Sequence, residues 1–260
     1  MKRATFLMLI AAIALITFSC NKEDDGNNNK SKSTLKILLT DAPATYNAVN
    51  VDIQSVGVCV DSMWFYFDLE TPGIYDLISL SNGSSALLVS NVTVPSGIIT
   101  QMRLFLGDSN SIVVDSVTYD LKTPSAQTSG YKVKINAPIS AGATYQVLLD
   151  FDAARSIVEQ GNGKYLLKPV VTGSLLENIG QLDGTVVPAI GGTVAQAWNA
   201  TDTFSVFIDQ ATGFFLINSL EPGSYSVKIT AVTPYLDTTF TNVPVTAGQV
   251  THLDSIFLAQ

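Results

Sequence analysis

From Leu35 onward the chain is built of short runs in which apolar and polar side chains alternate, cut apart by Gly, Pro, Asn, Asp and Ser. No other feature narrows the fold as far. A period of two sends successive side chains to opposite faces of a strand, so each run can bury only one face. Runs this short and this regularly punctuated require strands that pair into sheets and pack face to face. Leu35-Lys36-Ile37-Leu38-Leu39 opens the series and stops at Thr40-Asp41-Ala42-Pro43, where Asp and Pro favour a turn. Tyr131-Lys132-Val133-Lys134-Ile135 alternates strictly, and Tyr145, Val147, Leu149 and Phe151 share one face of a later run. The expected fold class is all-β, as two β-sandwich units in tandem.

Between Val49 and Val60 the phase of the pattern changes. Odd positions are apolar through Ile53 and even positions from Val56, so a bulge or break is expected near Ser55. The segment 63–69 is expected to return as a hairpin through Asp61-Ser62. Strands are expected over 74–80, 86–94 and 98–106, and a hairpin over 112–121. In 98–106, Ile98, Thr100, Met102, Leu104 and Leu106 are expected on one face, with Gln101 and Arg103 on the other. The one helix is expected near 152–160, with Asp152 as N-cap and Gly161-Asn162-Gly163 as its stop. Residues 165–172 then read as a strand, placed at an edge by Pro169.

A second unit, over 180–260, reads as about seven strands separated by turn signals such as Pro222-Gly223 and Ala247-Gly248. Two stretches of the first unit recur there in the same order. Pro95-Ser96-Gly97 and the run to Leu104 resemble Glu221-Pro222-Gly223 and the run to Thr230. Ala137-Pro138-Ile139-Ser140-Ala141-Gly142 resembles Val243-Pro244-Val245-Thr246-Ala247-Gly248. The first unit carries twenty more residues between its two copies, matching the hairpin at 112–121. Two sandwiches of related design are expected, an idea that unlike strand orders would end.

The first thirty-three residues are different in kind. Lys2 and Arg3 precede an apolar run from Phe6 to Ile16, then Ser19-Cys20, then the polar Asn21-Lys22-Glu23-Asp24-Asp25. A basic start, a short greasy core and a small residue before the cut describe a secretory signal, and the run is too short to span a bilayer. With Ser19 before Cys20 and Lys22-Glu23-Asp24-Asp25 after it, the segment resembles the lipoproteins of Bacteroidetes. That resemblance implies removal of residues 1–19, lipid on Cys20, a flexible tether over 20–33 and an outer-membrane location. The cell surface is the expected face, with the periplasmic face as the alternative. Such anchors carry two or three acyl chains, each buried CH₂ contributing about 0.8 kcal/mol.

The formal charge is −8, and without Lys2 and Arg3 twelve basic residues face twenty-two acidic ones, a net of −10. An acidic body is a poor partner for nucleic acid. There are two cysteines. If Cys20 holds lipid, Cys59 has no disulfide partner and is expected to be a small buried residue.

Leu39-Thr40-Asp41-Ala42-Pro43, Tyr46-Asn47-Ala48-Val49-Asn50-Val51, Leu149-Asp150-Phe151-Asp152-Ala153-Ala154-Arg155-Ser156 and Tyr165-Leu166-Leu167-Lys168-Pro169-Val170 together resemble domain-of-unknown-function family 4382, over residues 34–173. The resemblance implies a secreted or lipid-anchored β-rich domain. Gly184-Thr185-Val186, Gly213-Phe214-Phe215-Leu216-Ile217 and Leu220 to Val227 resemble the carboxypeptidase regulatory-like, prealbumin-like sandwich, which implies an accessory module.

Little in the sequence points to catalysis, and the chain is expected not to be an enzyme and to need no cofactor. His252 is the single histidine, on the last strand with Asp254, and no Gly-x-Ser-x-Gly elbow accompanies it. One His and one free Cys cannot build a zinc site. Asp41, Asp52, Asp150 and Asp152 lie near turns. They could hold Ca²⁺ only if the fold gathers them, and Asp41 and Asp152 are expected instead to cap turns. Arg103 and Arg155 are expected to pair with such carboxylates. Trp64 and Tyr66, on one face of the 63–69 strand, are the candidate ligand platform. Ser62, Ser116, Thr238 and Ser255 each follow an Asp and precede an apolar residue or Thr, a pattern resembling Bacteroidetes O-glycosylation acceptors. The expected role is a binding or scaffold module of the envelope, with an envelope protein or an extracellular glycan as partner. The alternatives are a carbohydrate-binding component of an uptake system and a hydrolase with an acidic site.

Overall fold

The computed structural model of the protein describes residues 32–42, 44–123, 129–161 and 163–260. The signal segment, Cys20 and most of the expected tether lie outside these residues. Strands occupy Lys32–Ala42 (β1), Ala48–Val60 (β2), Met63–Asp76 (β3), Ala86–Pro95 (β4), Gly97–Leu106 (β5), Ser111–Val114 (β6) and Val117–Lys122 (β7). They continue as Tyr131–Ile139 (β8), Thr144–Asp152 (β9), Ile157–Gln160 (β10), Lys164–Leu167 (β11) and Val171–Leu175 (β12). The last seven are Gly180–Val187 (β13), Val194–Trp198 (β14), Thr203–Phe207 (β15), Phe214–Leu220 (β16), Gly223–Thr230 (β17), Thr238–Val245 (β18) and Val250–Phe257 (β19). Helical segments include Ala153–Ser156 (α1) and a 3₁₀ turn at Leu77–Leu80. The protein is all-β.

β1 to β12 form one hydrogen-bonded path, β10-β11-β7-β6-β2-β5-β8-β12-β9-β1-β4, with β3 on the other edge of β2. Its inward rows are those the alternation marks: Leu35, Ile37 and Leu39 on β1, Val133 and Ile135 on β8, and Val147, Leu149 and Phe151 on β9. β13 to β19 form two sheets, β16-β13-β19 and β15-β14-β17-β18, around a second core that includes Leu182, Phe215, Tyr225 and Val227.

The strand order repeats. In the second unit β15-β14-β17-β18 faces β16-β13-β19. In the first, β3 pairs β2, β2 pairs β5 and β5 pairs β8, while β1 lies between β4 and β9. The sense of each of these equivalent pairings also matches: β1 with β9 and β13 with β19 run parallel, and the other equivalent pairs run antiparallel. Even the register agrees, Gly97 opposite Ile139 and Gly223 opposite Val245. These are the stretches that the sequence marks as similar. The first unit adds the β6–β7 hairpin in place of a short connection. It also adds β10, β11 and β12 after β9, with β12 bridging the two halves by pairing both β8 and β9.

The expected bulge is present. Both pairings of β2 shift register between Ile53 and Ser55, which keeps Val49, Val51, Ile53, Val56, Val58 and Val60 all on the core side. Other expectations are corrected. Residues 63–69 and 74–76 belong to one strand, β3, and 77–80 turn into the 3₁₀ segment because Asp76 accepts a hydrogen bond from Ile78 N. A second irregularity between Ile99 and Gln101 puts Ile99, Met102, Leu104 and Leu106 inside and leaves Ile98 and Thr100 outside. The helix at 152–160 lasts one turn. Ile157 and Val158, β-branched, instead pair with Leu167 and Leu166. Pro169 does not mark an edge strand but divides the run into β11 and β12, which sit in different parts of the sheet. Lys32 and Ser33, read as tether, belong to β1, where the buried Ser33 donates to Ser140 O at 2.9 Å.

Candidate functional site

The residues singled out near turns meet at the ends of β1 and β9. These strands run parallel in register, Leu39 beside Leu149, Thr40 beside Asp150, Asp41 beside Phe151 and Ala42 beside Asp152. Two segments more than a hundred residues apart thus become neighbours. α1 follows at once. Asp152 caps it, Oδ1 accepting from Arg155 N at 2.8 Å, and Asp41 Oδ1 accepts from Ala153 N at 2.9 Å. The third segment closes the corner: Ser156 Oγ accepts from Val170 N, and Asp152 N donates to Val170 O.

Asp41 continues the buried row of β1 and is 4% exposed. Its Oδ2 is buried without a hydrogen-bond partner. Burial pushes its carboxyl up to about 9, with the Ala153 N–H pulling the other way and Asp150, Asp152 and Asp76 adding to the rise. At neutral pH it is therefore protonated. Asp150 is pushed up to about 6, first by burial and then by Asp152, against a hydrogen bond from the Ser219 hydroxyl. Its Oδ1 is likewise buried and unpaired.

These groups line a cleft of about 550 Å³ between the first unit and the second. Asp41, Asp150, Asp152 and Arg155 form one wall, and Asp202, Phe204, Ser219 and Glu221 belong to the other. Arg155 Nε lies 3.4 Å from Asp152 Oδ2, as the pairing of the arginines with carboxylates leads one to expect. Asp52 is elsewhere, held by Gln54 Nε2 and Ser109 N. Among the described residues no three His, Cys, Asp or Glu side chains are gathered closely enough to hold a metal ion. Asp202, Ser219 and Glu221 carry no local sequence signal; only the packing of the two units reveals them.

Trp64 and Tyr66 form a second locus, on the outer face of β3. Their rings stack at 5.9 Å with 16° between planes, and Phe105 of β5 meets Tyr66 edge-on at 5.9 Å. Among the described residues Arg103 has no carboxylate partner. Its Cζ sits 4.7 Å from the Trp64 ring centre, and Nη1 donates to Ser129 O at 2.8 Å. The rings lie over Gly57 of β2, where a Cβ would come within 3.1 Å of Tyr66 and 3.3 Å of Trp64. Tyr66 is 59% exposed, so the strip presents ring surface to solvent. Phe67 and Phe65, on the opposite face, pack on the core. Gln101, Arg103 and Phe105 share the outer face of β5, alternating with the buried Met102 and Leu104, which is the signal that could have added Arg103 and Phe105 to the strip.

The remaining sites are scattered. Ser62, Ser116 and Ser255 are exposed and Thr238 is half-buried. The Asp preceding each of the three serines, Asp61, Asp115 and Asp254, has positive φ. His252 lies on the edge strand β19, its Nδ1 2.7 Å from Asp183 Oδ1. Cys59 is buried and free.

Fold and corner together define an all-β double sandwich with a capped acidic corner. More particularly, the chain belongs to the family described as Domain of unknown function (DUF4382), whose model matches residues 32–169. No curated protein matches it. Among solved structures it is similar to a fimbrial protein from Bacteroides ovatus, at 10% identity and a TM-score of 0.28, over 88% of this chain and 51% of that one. It is similar to GBS52, the minor pilin of Streptococcus agalactiae, at 10% identity and a TM-score of 0.25, over 86% and 95%. The Bacillus anthracis TIE protein is a third, at 10% identity and 0.25, over 88% of this chain; this chain spans about a third of its length.

Proposed function

We propose that this protein is a non-enzymatic binding module of the cell envelope, moored through lipid on Cys20 and engaging its partner through the aromatic strip of β3 and β5. The observation that carries the reading is the strip itself. Trp64, Tyr66 and Phe105 pave one outer face, and Gly57 beneath them leaves room for the rings to lie flat. Solvent-facing aromatic surface of this kind supports contact binding. The acidic body and the polar stretch after Cys20 suit a domain held clear of the membrane, the tether reaching roughly 20 Å.

A second reading is favoured by the same geometry. Flat, stacked rings offer faces to the C–H surface of a pyranose, so a glycan is the ligand class the strip fits best. The mooring and the strip are tested together in cells. The parent protein is expected in the membrane fraction with labelled palmitate, and Cys20→Ser in the soluble fraction without it. Purified chain is expected to be retained by insoluble envelope polysaccharide, and Trp64→Ala/Tyr66→Ala to lose at least tenfold in retention. Membrane-bound, labelled Cys20→Ser would overturn the mooring; equal retention of the double variant would overturn the strip.

A further inference from the structure

The acidic cleft is a separate matter from the strip. Five carboxylates line it, Asp41, Asp150, Asp152, Asp202 and Glu221, against the single guanidinium of Arg155. Acidic side chains on a surface are ordinarily solvated. Here two are not: Asp41 Oδ2 and Asp150 Oδ1 are buried and lack any hydrogen-bond partner, although Asp41 is 4% exposed. Buried polar atoms are nearly always paired, and an orphaned carboxylate oxygen loses its hydration without return. Asp150 Oδ1 is an acceptor that asks for a donor from outside the chain, and the protonated Asp41 carboxyl beside it leaves an Oδ2 that only a group from outside can meet.

The donor's chemistry follows from the lining. The described carboxylates do not converge closely enough to chelate a metal ion. They are spread over both walls, so the fitting ligand is an extended one that carries several N–H donors and positive charge. Phe204, Leu216 and Val206 add apolar wall for a carbon chain between such donors. The geometry points to a binding site for an alkyl polyamine, its ammonium groups shared between Asp150 and Asp152 on one wall and Asp202 and Glu221 on the other, beside the buried carboxyl of Asp41.

Titration supports this. Asp150 is pushed up to about 6, mainly by burial, so it is fully charged only above neutrality. The groups facing it are Asp41 from β1, Asp152 and Arg155 around α1, Ser219 from β16, and Asp202 and Glu221 from the loops flanking β15 and β16. An ammonium ion drives Asp150 toward its charged form, so binding releases a proton and strengthens as pH rises through about 6.

Calorimetry of the full chain with spermidine tests the site. One-to-one binding is expected, at least tenfold tighter at pH 7.5 than at pH 5, with proton release visible as a buffer-dependent heat near pH 6. Asp150→Asn and Asp202→Asn, which preserve side-chain size, are each expected to weaken it at least tenfold. Asp68→Asn, an exposed carboxylate on β3, is expected to change nothing. No heat at any pH, binding equal in all three variants, or preference for a neutral oligosaccharide at the cleft would overturn the proposal. The aromatic strip stands apart from this result, because Trp64→Ala/Tyr66→Ala leaves the cleft intact.

Discussion

Asp41 shows what one side chain can do to the behaviour of the chain. An unfolded Asp titrates near 3.9, whereas burial raises Asp41 to about 9 in the fold. Between these values the folded state keeps a proton that the unfolded state has lost. Stability from this group is therefore full below about pH 4 and falls as pH rises toward 9. Asp150 adds to the slope only up to about 6. Above pH 7, Asp41 alone of the two still titrates. Asp41→Asn keeps an acceptor for Ala153 N and carries no charge. It is expected to flatten the stability profile between pH 7 and 9 and to be the more stable protein at pH 8, by denaturant unfolding. A profile as steep as the parent's would mean that Asp41 is ionised in the fold. The capping role of Asp41 and Asp152 is readable from the Asp-before-turn pattern. That both cap the same turn is not, because the pattern says nothing about β1 and β9 lying side by side.

At the scale of elements, the corner of β9, α1 and β12 holds the first unit together. Ser156 is fully buried, its Oγ accepting from Val170 N and its carbonyl from Lys168 N. Removing the hydroxyl leaves a backbone N–H without its partner, at a cost of about 1–3 kcal/mol. Ser156→Ala is expected to lower the unfolding free energy by that amount, read as a lower urea midpoint with an unchanged slope, and a change within 0.5 kcal/mol, the usual range for a surface substitution, would show that water replaces the bond. Strands were the legible elements, since alternation reports burial directly. The phase flip near Ser55 even located a bulge. The shift at Ile99 is not legible in the sequence, because Ile98 and Thr100 fit either face. The helix is shorter than its spacing suggests, because Ile157 and Val158 continue a helical spacing yet find strand partners in Leu167 and Leu166.

Over the whole molecule, the repeated strand order explains why two short motifs recur in sequence. Pro-Ser-Gly97 and Pro222-Gly223 start equivalent strands, and Pro138-Ile139 and Pro244-Val245 end their partners. The added β6–β7 hairpin and the strands after β9 distinguish the first unit, and β12, paired with β9, adds Thr172 and Ser174 to the wall that carries Asp150 and Asp152. Long-range juxtaposition is the part of both sites that alternation cannot reveal. Arg103 and Phe105 join Trp64 and Tyr66 only through the pairing of β2 with β3 and β5. The binding claim rests on that strip, and the chain's two tryptophans allow it to be read optically. Titrating envelope polysaccharide into the purified chain is expected to change tryptophan fluorescence saturably, with the change kept in Trp198→Phe and lost in Trp64→Phe. A saturable change that survives in Trp64→Phe and vanishes in Trp198→Phe would put binding on the second unit and contradict the account.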